Sequence, residues 1–113
     1  MAELAKTIGR RLRYYRLLLG LSQEQVAEIA QCHPTYIGQV ERGEKNATIE
    51  SLDKIASAVS VPLSQLFYNT DEESKDDIPM KCYDLLITKS KAEQDHIFNI
   101  IMELDKYKDS PSL

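Results

Sequence analysis

The chain has 113 residues, enough for one domain or for one small domain with an oligomerisation segment. Its composition, 42% hydrophobic and 28% charged, is that of an ordinary soluble protein, and no apolar run approaches the roughly 18 residues that a membrane span needs. The formal charge of −4 is unevenly spread: up to Tyr68 eight basic residues face seven acidic ones, giving +1 there and −5 in the remainder.

Met1 to Arg11 is mixed and charged, unlike a signal peptide. Two cysteines, Cys32 and Cys82, lie far apart without framework spacing, so reduced thiols in a cytoplasmic protein are expected. Leu4 to Leu19 is predicted to form a first helix, with Leu4, Ile8, Leu12, Tyr15 and Leu19 on one face and Arg10, Arg11 and Arg13 around the others. Gly20 ends it. Ser22 and Gln25 form a capping box for a second helix, whose apolar face is read as Val26, Ala27, Ile29 and Ala30. Pro34 suits the first turn of a third helix and Gly43 its stop, with Ile37 and Val40 facing inward. Thr35, Tyr36, Gly38, Gln39 and Arg42 are then expected to point outward. The loop EKNA leads to a fourth helix capped by Thr48, with Ile49, Leu52, Ile55, Ala56 and Val59 as its stripe. A short fifth helix after Val61–Pro62 brings Leu63, Leu66 and Phe67 to close the core. Five short helices around one core make a compact all-α arrangement.

From Asn69 the composition shifts. NTDEESKDD is polar and acidic and marks a linker, assigned to residues 69–78 between a domain at 1–68 and a segment at 79–113. IPMKCYDLLITK reads as a sixth helix begun at Pro79, with Met80, Tyr83, Leu86 and Ile87 aligned. A second capping box, Ser90 to Glu93, opens a seventh helix through about Lys108. Tyr83 and Leu86, with Ile97, Phe98, Ile100, Ile101, Leu104 and Tyr107, cover more surface than one small hairpin can bury. A second copy of the hairpin would cover it, so dimerisation is expected here. The last residues, DSPSL, are expected to fray. No internal repeat or low-complexity tract occurs.

The two short helices across SQEQVAEIAQCHPTYIGQVERG, joined by a tight turn, are a helix-turn-helix pattern. A small, uncharged, hydrogen-bonding face on the second is what a DNA major groove accommodates. The landmarks IGRRLRYYRLLLGLSQEQVA, YIGQVERG and LDKIASAVSVPLSQLF resemble the Xre/Cro–cI class of bacterial and phage repressor domains, from about Ile8 to Tyr68. By that resemblance Ala27 is the small residue that lets the two helices approach, and Ile37 plugs the second into the core. Gln31 departs from it: the family often has Gly at this turn position, where φ > 0 is used, so Gln there either costs about 1 kcal/mol or gives the turn a slightly different shape.

The resemblance further implies site residues. Gln23, at a helix N-terminus, would bind the DNA backbone. Thr35, Tyr36 and Gln39 would meet base edges: Gln39 an adenine, Thr35 a thymine methyl, with Tyr36 open to a phosphate instead. Arg16 and Glu41 would form a partly buried structural ion pair between the first and third helices. From the residues themselves, Arg42, Lys45 and Asn46 are placed to grip phosphates, and His33 to cap the recognition helix with a phosphate within reach. Gly38 either permits close approach to DNA or is simply tolerated.

Double-stranded DNA and a second copy of the chain are therefore the expected partners, with no membrane partner. The near-neutral charge of the first part predicts modest non-specific affinity. The expected function is that of a sequence-specific transcription regulator, a repressor first with activation left open, binding a palindromic operator as a homodimer. The alternative is an antitoxin-like or antagonist-controlled module whose C-terminal helices bind another protein. An enzyme is not expected, since there is no Gly-rich phosphate loop and no nucleophile signature. No metal or cofactor is expected either: His33 and Cys32 are adjacent, but no other His or Cys falls at ligand spacing.

Overall fold

The computed structural model describes residues 2–68 and 77–109, and every regular element among them is a helix. In chain order these are α1 (Ala2–Leu18), α2 (Gln23–Ala30), α3 (Pro34–Glu41), α4 (Ile49–Ala58), α5 (Leu63–Phe67), α6 (Ile78–Leu86) and α7 (Lys91–Asp105), followed by a 3₁₀ turn (Lys106–Asp109). The helices fall into two compact units, Met1–Lys75 and Asp76–Leu113. Most of the acidic linker, residues 69–76, lies outside the described residues, as does the tail 110–113.

In the first unit α1 buries Ile8, Leu12 and Tyr15, spaced so that one stripe faces inward. α1 stops where Gly20 takes φ +71 and Leu21 N–H reaches back to the Arg16 carbonyl. α2 opens with the reciprocal cap: Gln25 N–H donates to Ser22 Oγ at 3.0 Å, and Ser22 N–H donates to Gln25 Oε1 at 2.7 Å. Its inner face is Val26, Ala27 and Ala30. Ile29, read from the sequence as part of that face, is 59% exposed. At 100° per residue it lies about 60° round from Val26, on the side away from Ala27.

Ile37 and Val40 of α3, Ile55, Ala56 and Ala58 of α4, then Val59, Val61 and Leu66 complete the core. Thr48 caps α4, its Oγ1 accepting from Ser51 N–H at 3.1 Å. Two further residues read as core stand outside it: Ile49 is 70% exposed and Phe67 39%. Both edge an open apolar hollow of about 370 Å³ bounded also by Leu4, Ile8 and Leu52, so the stripe of α4 is sealed only from Ile55 onward. Arg11 closes α5 by donating to the carbonyls of Leu66, at 3.0 Å, and Tyr68.

The second unit is a helical hairpin. Asp77 caps α6, its Oδ1 accepting from Met80 N–H at 3.0 Å, so the helix begins at Ile78, one residue before the Pro79 start read from the sequence. Ser90 and Glu93 form the cap of α7, at 3.1 and 2.9 Å, and Gln94 Nε2 donates to the Leu86 carbonyl at 2.7 Å to clasp the end of α6. No described residue of α6 or α7 is buried. Phe98, Ile100, Ile101, Leu104 and Tyr107 are exposed, while Tyr83, Leu86 and Ile97 are half-buried along the seam. α7 ends at Asp105 and tightens into the 3₁₀ turn, short of the single helix expected through Lys108.

Candidate nucleic-acid interface

The pose of α3 is set by α1. Gly9 lies where the two helices meet: a Cβ there would stand 2.3 Å from the Val40 carbonyl oxygen and 2.5 Å from that of Glu41. Only a residue without a side chain allows this approach. Beside it, Arg16 Nε donates to Glu41 Oε2 at 2.6 Å and Arg16 Nη2 to Glu41 Oε1 at 3.0 Å, a bidentate pair almost closed off from solvent. Arg16 Nη1 also donates to the Leu21 carbonyl at 2.9 Å, so the guanidinium ties three segments together.

The same carboxylate holds the first residue of α2. Gln23 Nε2 donates to Glu41 Oε1 at 3.1 Å. Nothing in the spacing of Gln23 and Glu41 along the chain marks this bond. Gln23 and Arg42 then converge over Gly38, whose Cβ position lies 3.0 Å from Arg42 Nη1 and 3.5 Å from Gln23 Nε2. Gly38, expected to face outward, is therefore buried beneath two long side chains.

α3 starts as a helix should when Pro34 leads it: His33 Nδ1 accepts from Thr35 N–H at 3.1 Å. Before it, Gln31 occupies the left-handed region, φ 60 and ψ 49, and Cys32 N–H reaches the Ala27 carbonyl at 2.9 Å. Burial pushes the Cys32 thiol up, with Lys54 pulling the other way, which keeps the thiol protonated at neutral pH. Thr35 is exposed, and Tyr36 and Gln39 are half-buried. Among the described residues no side-chain hydrogen bond engages Thr35, Tyr36 or Gln39, so their polar ends are available.

Beyond α3, Gly43 takes φ +72 and Glu44 N–H reaches the Gln39 carbonyl at 2.9 Å. Lys45 and Asn46 are exposed on the loop that follows. Glu44, at the head of the EKNA loop, accepts from Arg42 Nε at 2.8 Å and Nη2 at 3.2 Å, a pairing the sequence does not mark. The Arg42 hydrogen bond holds the Glu44 carboxyl below its usual range, and Glu44 in turn raises Arg42. Among the described residues no cluster of His, Cys, Asp and Glu could hold a metal ion, and no helix is long and apolar enough to cross a membrane.

Residues 12–66 match the helix-turn-helix family. The chain is 41% identical over 64 residues to the control protein C.SmaI of Serratia marcescens, covering 57% of this chain and 76% of that one. The chain belongs to the Xre-like helix-turn-helix family. It is a DNA-binding transcription regulator, of a family that is not enzymatic. Among solved structures, C.Esp1396I bound to a 25-base-pair operator site superimposes with a TM-score of 0.54 at 29% identity, over 60% of this chain and 90% of that one. A chain of the SinR protein/SinI protein complex superimposes with a TM-score of 0.55 at 25% identity, over 91% and 98%. The likeness to the controller proteins thus spans a Xre-like domain, and that to the second complex extends over most of the chain.

Proposed function

We propose that the protein is a sequence-specific repressor that binds a palindromic operator as a homodimer. In this reading each α3 enters a major groove, Thr35 and Gln39 read base edges, and Tyr36 reads a base or binds a phosphate. Gln23, His33, Arg42, Lys45 and Asn46 hold the phosphate backbone and fix the register. The observation that carries the reading is the unsatisfied polar surface of Thr35, Tyr36 and Gln39 on a helix whose other face is locked to α1 and α2. The operator complex of C.Esp1396I supports it by likeness.

The homodimer rests on the hairpin. With no buried residue among those described in α6 and α7, the hairpin has few apolar contacts of its own to rest on, and a second copy would cover its exposed Phe98, Ile101 and Leu104. Paired hairpins would carry two α3 helices to half-sites about 34 Å apart on one face of the duplex. Such a protein would act in the cytoplasm, where the DNA is.

Selection of bound sequences from random duplexes tests the reading. A palindrome is expected, and Thr35→Ala with Gln39→Ala should erase the preference while the helical content stays unchanged. Unaltered preference in that double variant would refute the base-reading role.

A second reading has one observation in its favour. The likeness over 91% of the chain is to a chain solved in a complex of two different proteins, so the hairpin would serve as the seat of an unlike partner. Light scattering separates the two: a dimer that Phe98→Asp and Ile101→Asp convert to monomer supports the first, and a stable monomeric parent supports the second.

A further inference from the structure

The loop after α3 contains a charge arrangement that operator binding alone leaves unexplained. Arg42 sits at the C-terminus of α3, where a cation is well placed to meet a phosphate. Yet its guanidinium is already engaged. Nε and Nη2 grip the Glu44 carboxylate at 2.8 and 3.2 Å, and Nη1 lies above Gly38, where a Cβ would be 3.0 Å away. Both side chains of the pair are more than half exposed, 57% and 54%, so the pair lies at the surface. Lys45, the next residue, is exposed and makes no ion pair among the described residues. Of two neighbouring cations, one is committed and one is not.

We propose that Glu44 is an internal competitor for the DNA backbone, occupying the fork of Arg42 in the free protein and giving it up to a phosphate on binding. The proposal deepens the operator-binding reading and rests on it. The guanidinium edge that matches a carboxylate with two parallel donors is the edge that matches a phosphate. It cannot serve both in that way at once. Glu44 has no escape by protonation at neutral pH, where a carboxyl is ionised with or without a partner. With Nη1 laid over Gly38, a phosphate that takes the Nε–Nη2 edge displaces a carboxylate, which then stays beside a polyanion. The displacement is the same at an operator and at random sequence, since phosphates carry no sequence information. Glu44 thus lowers affinity everywhere alike, and it raises the protein concentration at which any site fills without changing the preference between sites.

The test is a double-mutant cycle on the full chain, read by DNA-binding titration at low ionic strength, where exposed pairs are least screened. Glu44→Gln is expected to tighten binding to operator and to random duplex together, by about two- to five-fold, the worth of an exposed ion pair. Arg42→Gln alone is expected to weaken binding. With Arg42→Gln already present, Glu44→Gln is expected to have a clearly smaller effect, that of removing one negative charge near the polyanion. Both residues are exposed, so neither change threatens folding, and circular dichroism verifies that. A neutral Glu44→Gln overturns the proposal, as does a gain of equal size in both backgrounds, which would mean only the field of a nearby negative charge. A neutral Arg42→Gln overturns it too, by removing the phosphate contact. These failures differ from failure of the operator reading, which shows instead as unchanged sequence preference when Thr35 and Gln39 are replaced.

Discussion

Gly9 and Gly38 are both helical glycines, and the structure assigns opposite signs to the same substitution at each. At Gly9 an added Cβ would lie 2.3 Å from the Val40 carbonyl oxygen, against 3.4 Å for ordinary contact. α1 would have to withdraw from the end of α3 by roughly 1 Å, and what it meets is backbone, which cannot turn aside. Overpacking of this kind costs about 1–3 kcal/mol and sometimes more, while Ala recovers about 1 kcal/mol of helix propensity over Gly. With the clash at its severe end, the expected net loss for Gly9→Ala is about 2–3 kcal/mol. A domain of this size holds only about 3–10 kcal/mol in all, so the fall in Tm should be about 10–20 °C. At Gly38 the nearest atom is the far end of the Arg42 side chain at 3.0 Å, which can swing away. Gly38→Ala should therefore raise stability by about 0.5–1 kcal/mol. Thermal unfolding of both variants, followed by far-ultraviolet circular dichroism, reads the pair directly. A Gly9→Ala protein as stable as the parent would refute the close approach of α1 and α3 and, with it, the account of how α3 is posed.

Three other outcomes are expected. Arg16→Ala leaves Glu41 buried without its ion partner and should lower stability by about 3–5 kcal/mol in urea unfolding. Gln31→Gly relieves a left-handed residue at φ 60 and should raise stability by up to about 1 kcal/mol, measured the same way. Glu93 is held below its usual range by hydrogen bonds from Ser90, so its contribution is present above the ordinary value of 4.5 and lost as pH falls through the lower folded value. Acid titration of helical content should therefore show the start of α7 loosening below that point, and Glu93→Gln, which keeps the cap, should remove this part of the acid sensitivity.

The helix order was legible in the sequence because its punctuation is local. Ser22, Pro34, Thr48 and Ser90 act within three residues of themselves, and the apolar spacing of Ile8, Leu12 and Tyr15 needs no knowledge of the rest of the chain. What depended on neighbours distant in sequence was not legible. Ile29 and Ile49 have the right residue type and nearly the right phase, yet which part of a narrow helix is covered is decided by the helix opposite. Gly38 looked exposed because its covering atoms come from Gln23 and Arg42. Gly9 did carry a signal, since a glycine inside an amphipathic helix costs stability unless something approaches it closely. Glu44 carried almost none. A carboxylate two residues after an arginine in a polar loop is ordinary, and only the geometry reveals that it closes on the fork.

The placement of α3 also constrains how the interface can fail. A helix of eight residues has too little cooperativity to persist alone, so its position is a property of what it packs on. Here one carboxylate, Glu41, serves two tasks: it accepts Arg16, which fixes α3 to α1, and it accepts Gln23, which orients an amide at the start of α2. The angle of the recognition helix and the aim of a neighbouring polar group are thus set by the same buried atoms. Perturbing Glu41 should disturb both together, and substitutions at Arg16 and Gln23 should not add independently, because each changes the carboxylate on which the other depends. Thr35 and Gln39 take no part in that network, which is why they can change what is read without changing how it is held.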